Sequence, residues 1–131
     1  MRDPSAEAIH ISDAESLVME ELWRRHPQTA DEVIAALKKK QRWQEATVKT
    51  LLNRLLKKGA IRAERDGRRY LYTPVLVREA WVRGESESLL SRVFGGRVAP
   101  LVAHFSKSGK LSENDVAELR QLLQELDDEQ R

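Results

Sequence analysis

The sequence predicts a mainly α-helical fold carrying one small β-hairpin, and three observations predict it. Residues 45–60, EATVKTLLNRLLKKGA, place Val48, Leu51, Leu52, Leu55 and Leu56 at three- and four-residue steps, which makes one apolar stripe on a helix. Two capping boxes, Ser12 to Glu15 and Thr29 to Glu32, each open an apolar-periodic run. After Gly59 the period changes from that of a helix to that of a strand, and Asp66-Gly67 punctuates the alternation.

The first helix runs from the Ser12 box to about Arg25, with Ala14, Val18 and Leu22 on one face and Leu17 and Trp23 widening it. Pro27 ends it. The second opens at Thr29, turns Val33, Ile34 and Leu37 inward and finishes in Lys38-Lys39-Lys40. A link of residues 41–44 leads to the central helix. There, at about 100° per residue, the side opposite the leucines carries Ala46, Thr50, Asn53 and Lys57, flanked by Thr47, Lys49 and Arg54. Gly59 stands where a left-handed residue ends a helix, and Lys57 and Lys58 favour the negative end of the dipole.

Beyond it, Ile61 and Ala63 alternate with Arg62 and Glu64. A two-residue turn at Asp66-Gly67 sets Ala63 against Tyr70, Ile61 against Tyr72 and Glu64 against Arg69, and Pro74 stops the second strand. Three helices with a short second turn, followed by a hairpin, make a helix-turn-helix domain with a β-wing. Its central helix has one face for a core and one for hydrogen bonds and positive charge, as a major-groove helix requires. Arg65, Arg68 and Arg69 at the wing tip suit a phosphate backbone or a minor groove. Read alone, the central helix is equally a solvated surface helix, and the lesser alternative for the hairpin is a solvated one whose charges protect a sheet edge. Their succession favours DNA.

Residues 76–94 form another helix, with Val77, Trp81, Val82, Leu89, Leu90, Val93 and Phe94, a weak point at Gly84 and a stop at Gly95-Gly96. A short apolar segment, Val98 to Phe105 with Leu101 inside it, precedes a turn at 107–110. Ser112 to Asp115 starts a last helix whose Val116, Leu119, Leu123 and Leu126 form an a/d seam. These helices have little of their own to pack on, so the simplest burial is against a second copy, with folding back onto the winged domain as the other course. The chain therefore divides into a loose arm at 1–10, a winged helix DNA-binding domain at 11–74 and a helical dimerisation domain at 75–131. A dimer sets two recognition helices about one turn of DNA apart and predicts a near-palindromic operator.

Composition sharpens this. The 131 residues carry a net charge of only +2, yet residues 38–72 hold twelve Lys or Arg against three Asp or Glu. That is a local net of +9, which leaves −7 elsewhere; residues 112–131 hold seven acids and two arginines. A basic middle and an acidic tail read as one nucleic-acid-facing surface and one that is not. No apolar run reaches the ~20 residues of a membrane span, and residues 1–10 lack a signal peptide's apolar core. With no cysteine, disulfides and thiolate metal sites are excluded and a cytoplasmic location is expected. His10, His26 and His104 lie far apart, and there is no Gly-rich phosphate loop or G-x-S-x-G, so neither an enzyme, a metal site nor a cofactor is expected. A winged helix used only for protein contacts is the alternative; it would not need such cationic density.

The stretches ISDAESLVMEELW (11–23), TADEV (29–33), TVKTLLNRLLKKGAI (47–61), GRRYLYTP (67–74), SLLSRVFGG (88–96) and LVAHFSK (101–107) resemble the penicillinase-repressor family of bacterial winged-helix repressors. The likeness runs from about residue 9 to 127. It implies a homodimer on a dyad operator, repressing resistance genes of the β-lactamase type. Carried over by position, Thr47, Lys49, Thr50 and Arg54 match the family's recognition-helix residues, and Ala46 stands where some relatives have lysine. In the β-lactam branch a membrane receptor-protease leads to cleavage just before a phenylalanine in the dimerisation region. The matching bond is His104–Phe105, with His104 in place of the usual asparagine. The copper-sensing branch has paired C-terminal cysteines, which this chain lacks.

Overall fold

A computed structural model describes residues 9–130. In chain order the elements are α1 (Asp13–Arg24), β1 (Gln28–Thr29), α2 (Ala30–Gln41), α3 (Glu45–Lys58), β2 (Ile61–Asp66), β3 (Arg69–Pro74), α4 (Arg78–Phe94), α5 (Val98–Lys107) and α6 (Glu113–Glu129). Two compact units divide the chain, one ending at Glu85 and one beginning at Ser86.

Both expected capping boxes form. The Glu15 N–H donates to Ser12 Oγ at 3.1 Å while Ser12 N–H donates to Glu15 Oε1 at 2.7 Å. Thr29 and Glu32 repeat the exchange at 3.2 and 3.1 Å. Each box satisfies two donors that a helix start leaves without partners. At the far end of α2, Arg42 adopts φ +56°, a left-handed turn rare for a side-chain-bearing residue, and it redirects the chain into α3. Helix α3 ends at Gly59, φ +78°, where glycine avoids the Cβ penalty of that region.

The core of the first unit is built where the periodicity placed it. Val18, Met19 and Leu22 of α1, Val33 and Leu37 of α2, and Val48, Leu51, Leu52 and Leu55 of α3 are buried together with Ile61 and Leu76. Half-buried Trp23, Trp43, Tyr72 and Trp81 pack around them. Burial of one such aliphatic side chain contributes ~1.5–3 kcal/mol, so the stripe of α3 is its main anchor.

The sheet differs from expectation in two ways. It has three strands in the order β1-β3-β2, all antiparallel. Strand β1 is only Gln28–Thr29, too short to leave a pattern, and it pairs Gln28 with Tyr72. The hairpin turn is Gly67-Arg68, not Asp66-Gly67, so Ala63 faces Tyr72, Ile61 faces Pro74, Glu64 faces Leu71 and Asp66 faces Arg69. Gly67 alone takes positive φ, +65°, the pattern of a type II′ turn with glycine first. The pairing is displaced by two residues, which preserves which side chains share a face.

The first unit runs past Pro74. Ala60 C=O accepts from the N–H groups of Val75 (2.8 Å) and Leu76 (3.0 Å), and Leu76 is 2% exposed. Trp23 Nε1 donates to Leu76 C=O at 2.8 Å, and the Trp23 and Trp81 rings stand 5.5 Å apart. Arg78 Nε donates to Glu20 Oε1 at 2.9 Å. The start of α4 thus belongs to the winged unit, because its apolar side chains complete that core. At the other end, residues 1–8 of the expected arm lie outside the described residues. Ile9 packs on the core and His10 C=O accepts from Lys58 Nζ at 2.9 Å.

In the second unit the apolar segment after Gly95-Gly96 is a helix, α5, with Pro100 in its first turn, where proline is tolerated. Helix α6 opens on a third capping box, Ser112 with Asp115. Among the described residues from Ser86 onward, none is buried.

Candidate nucleic-acid interface

Helix α3 is held by its buried stripe so that its other sides stay open. Ala46, Thr47, Lys49, Thr50, Asn53, Arg54 and Lys57 are all exposed. Ala46, Thr50, Asn53 and Lys57 recur at four- and three-residue steps and form the outward row. Thr47 and Arg54 lie along one flank, Lys49 along the other. Clefts border both flanks. One of about 430 Å³ is lined by Trp43, Ala46, Thr47, Thr50 and Arg54, with Ala14 and Leu51 at its edge. One of about 480 Å³ lies between the start of α2, Lys49 and the wing residues Arg69, Tyr70 and Tyr72.

The cations of this surface are not equivalent. Among the described residues, Arg54, Lys57 and Arg68 have no acidic partner within 4.0 Å, which leaves them available to phosphate. Lys49 pairs with Glu45 at 2.8 Å. That hydrogen bond raises the lysine's pKa and lowers the glutamate's. Arg69 Nη2 reaches Asp66 Oδ2 across the turn at 3.2 Å. Lys58, the last residue of α3, is turned away to bind Glu15 of α1. Burial pushes the Glu15 carboxyl up, but Lys58 and the Ser12 N–H outweigh it, and the pKa falls below the usual value. Glu21 behaves alike: burial is outweighed by Arg24 and Gln28.

The wing places Arg68 at the turn and Arg69 at the start of β3, both exposed, on the hairpin that follows α3. Sequence reasoning missed two features of this surface. Glu45, the sole acid of α3, had its signal in the i,i+4 spacing to Lys49. The acids Asp31 and Glu32, which face Lys49 and Arg69 across the larger cleft, gave none, because only the fold brings α2's first turn to the wing.

In the second unit, the residues expected to pair two copies are exposed or half-buried in the single chain. Leu89, Val93, Phe105, Leu123 and Leu126 are exposed, while Leu90, Phe94, Leu101, Val116 and Leu119 are half-buried. Trp81, expected with them, packs on Trp23 of the winged unit instead. His104 and Phe105 are both exposed on α5, their rings 5.5 Å apart, with His104 6.3 Å from Phe94. No described helix is long and apolar enough to cross a membrane.

A three-helix unit with a cationic outward helix and a wing defines a winged helix-turn-helix protein of the DNA-binding type. Comparison with known proteins makes the assignment specific. Residues 11–125 match the penicillinase repressor family, and the chain belongs to that family, one of transcriptional repressors and not of enzymes. It is 36% identical over 115 residues to the penicillinase repressor of Bacillus licheniformis, covering 88% of this chain and 90% of that one. It is 32% identical over 114 residues to the methicillin resistance regulatory protein MecI of Staphylococcus aureus strain N315, covering 86% and 92%. Among solved structures, it resembles the DNA-binding domain of the repressor BlaI at 38% identity and TM-score 0.53, over 56% of this chain and 90% of that one. It also resembles monomeric Bacillus licheniformis BlaI in complex with the blaP half-operator, at 38% identity and TM-score 0.51 with the same coverage.

Proposed function

We propose that the protein represses transcription as a homodimer on a near-palindromic operator of double-stranded DNA, in the cytoplasm. The observation that carries this reading is the exposed polar and cationic side of α3, backed by four buried aliphatic residues. Ala46, Thr50 and Asn53 face base edges in the major groove; Thr47, Lys49, Arg54 and Lys57 meet the flanking phosphates. Arg68 and Arg69 extend the footprint along the backbone. The solved BlaI complex with a half-operator supports the same docking here. Bound at a promoter, such a dimer excludes polymerase by occupancy and needs no effector pocket.

Dimerisation rests on the second unit. Its open leucines and valines form an apolar surface that a second copy would cover, and two copies would space the half-sites by about 34–36 Å. A receptor-protease cutting His104–Phe105, or any event that separates the copies, would release the operator. The genes concerned are antibiotic-resistance genes of the β-lactamase type, by the family's regulatory role.

The test is a duplex selection from a random library with the full chain, followed by gel shifts across salt concentration. Arg54→Ala and Lys57→Ala are expected to weaken binding and to reduce the log–log salt slope by about one each. Unchanged affinity and slope in both variants would remove these residues from the footprint.

A further inference from the structure

Glu45 is out of place on a surface built to meet phosphate. It is the first residue of α3, it is exposed, and it is the sole acid among that helix's fourteen residues. Its carboxylate holds Lys49 Nζ at 2.8 Å, one turn along the helix. Lys38 lies close enough for its charge to act on the same carboxylate, so the acid screens part of the cationic surface around it. An exposed i,i+4 pair adds little to a helix and an acid in the first turn, at the positive end of the dipole, adds a similarly modest amount, so stability alone is a weak reason for placing an acid on this surface.

Position gives a better one. The first residues of a recognition helix approach base edges, and helix side chains lean toward the N-terminus. Glu45 opens α3 on the Lys49 flank, with its carboxylate held beside that lysine at the end of the helix that approaches base edges. Binding that relies on phosphates alone brings a carboxylate among like charges and leaves Lys49 shared between Glu45 and the backbone. A cytosine changes both terms. Its N4 amino group is a donor with an acceptor, the paired guanine's O6, on one side only of the major-groove edge, and a carboxylate is its matching partner. Accepting from that group, Glu45 gives up Lys49, whose ammonium then passes to a phosphate. At adenine the amino group has an acceptor on either side, its own N7 and the paired thymine's O4, and guanine or thymine at that position offers the carboxylate no donor.

We propose that Glu45 is a specificity-determining residue: it penalises phosphate-only binding and selects a cytosine at the position that the leading end of α3 meets in each half-site. This rests on the DNA-binding reading above.

The test uses the full chain and its Glu45→Gln variant. Each is taken through selection from a random duplex library, then titrated with the wild-type-selected duplex and with a scrambled duplex of the same composition. Wild type is expected to enrich a cytosine in each half-site that the variant does not. The variant is expected to bind the scrambled duplex more tightly, with a salt slope steeper by about one. The ratio of selected to scrambled affinity should fall about tenfold, within the range of one lost base contact. Adding Lys49→Ala to the variant should remove the extra slope, since the slope belongs to the freed ammonium. An unchanged ratio, or the same base preference in both proteins, overturns the role given to Glu45 while DNA binding stands. A wild-type protein that enriches no duplex at all overturns the underlying reading instead.

Discussion

Removing the Lys58 ammonium should isolate a buried carboxylate. Glu15 is 1% exposed; its Oε1 accepts from Ser12 N–H and Lys58 Nζ, and its Oε2 has no protein partner among the described residues. Breaking a fully buried pair from one side costs ~3–5 kcal/mol. The Lys58 side chain is 39% exposed, so water reaches that end and the figure must be discounted. Lys58→Met is expected to cost about 2–3 kcal/mol at neutral pH. The dependence on pH carries the stronger test. In the wild type the Glu15 pKa is lowered below its ordinary 4.5. A carboxyl with a lowered folded pKa adds stability above its unfolded pKa and loses it as pH falls through the folded one. Without Lys58, burial dominates, the pKa moves up, and the carboxylate destabilises the fold until it is protonated. The gap between the two proteins should therefore be widest at neutral pH, begin to narrow above 4.5 as the variant's carboxyl takes up its proton, and narrow further below 4.5 as the wild type loses its own stabilisation. Urea unfolding followed by tryptophan fluorescence reads this directly, because Trp23, Trp43 and Trp81 all lie in the first unit. Adding Glu15→Gln to Lys58→Met keeps an acceptor for the capping box and removes the charge, so it should restore most of the loss. A gap under about 1 kcal/mol at neutral pH, or one that does not change with pH, would refute the reasoning.

Two further outcomes follow from the packing. Leu55→Ala empties a fully buried site behind α3 and should cost ~2–5 kcal/mol by the same urea assay; a loss below about 1 kcal/mol would mean the stripe is not the anchor. Leu123→Asp changes a residue that is 61% exposed in the single chain, so the protomer should keep its fold. Sedimentation should nonetheless shift from dimer toward monomer, and a persistent dimer would place the interface elsewhere.

Much of the winged unit was legible because local rules there agree with the global fold. Ser12 and Thr29 start their helices through hydrogen bonds three residues long, and Gly59 ends α3 through its own backbone. Such signals are contained in the sequence that carries them. The hairpin was half legible. Alternation fixed which of Ile61, Ala63, Tyr70 and Tyr72 share a face, but two turn positions fit the glycine. Gly67 leading the turn, an Asp66–Arg69 contact across it and β1 pairing with Leu71 and Tyr72 go with the observed register. The partner strand comes from about forty residues away, so no local pattern announces it.

The site divides the same way. By itself, the sequence determined that α3 has a leucine side and an open side, because a fixed 100° step per residue assigns every side chain to a face. It also determined that positive charge gathers at residues 38–72. Lys49 with Glu45 and Arg69 with Asp66 are local pairs, three or four residues apart, whereas only the tertiary structure decided that Lys58 goes inward to Glu15 and that Arg54, Lys57 and Arg68 stay open among the described residues. It likewise decided that Trp81 serves the winged core beside Trp23. The reason is physical: a helix's faces are a property of its own geometry, whereas an ion pair between distant residues or a stacked ring depends on what the fold brings within a few ångströms.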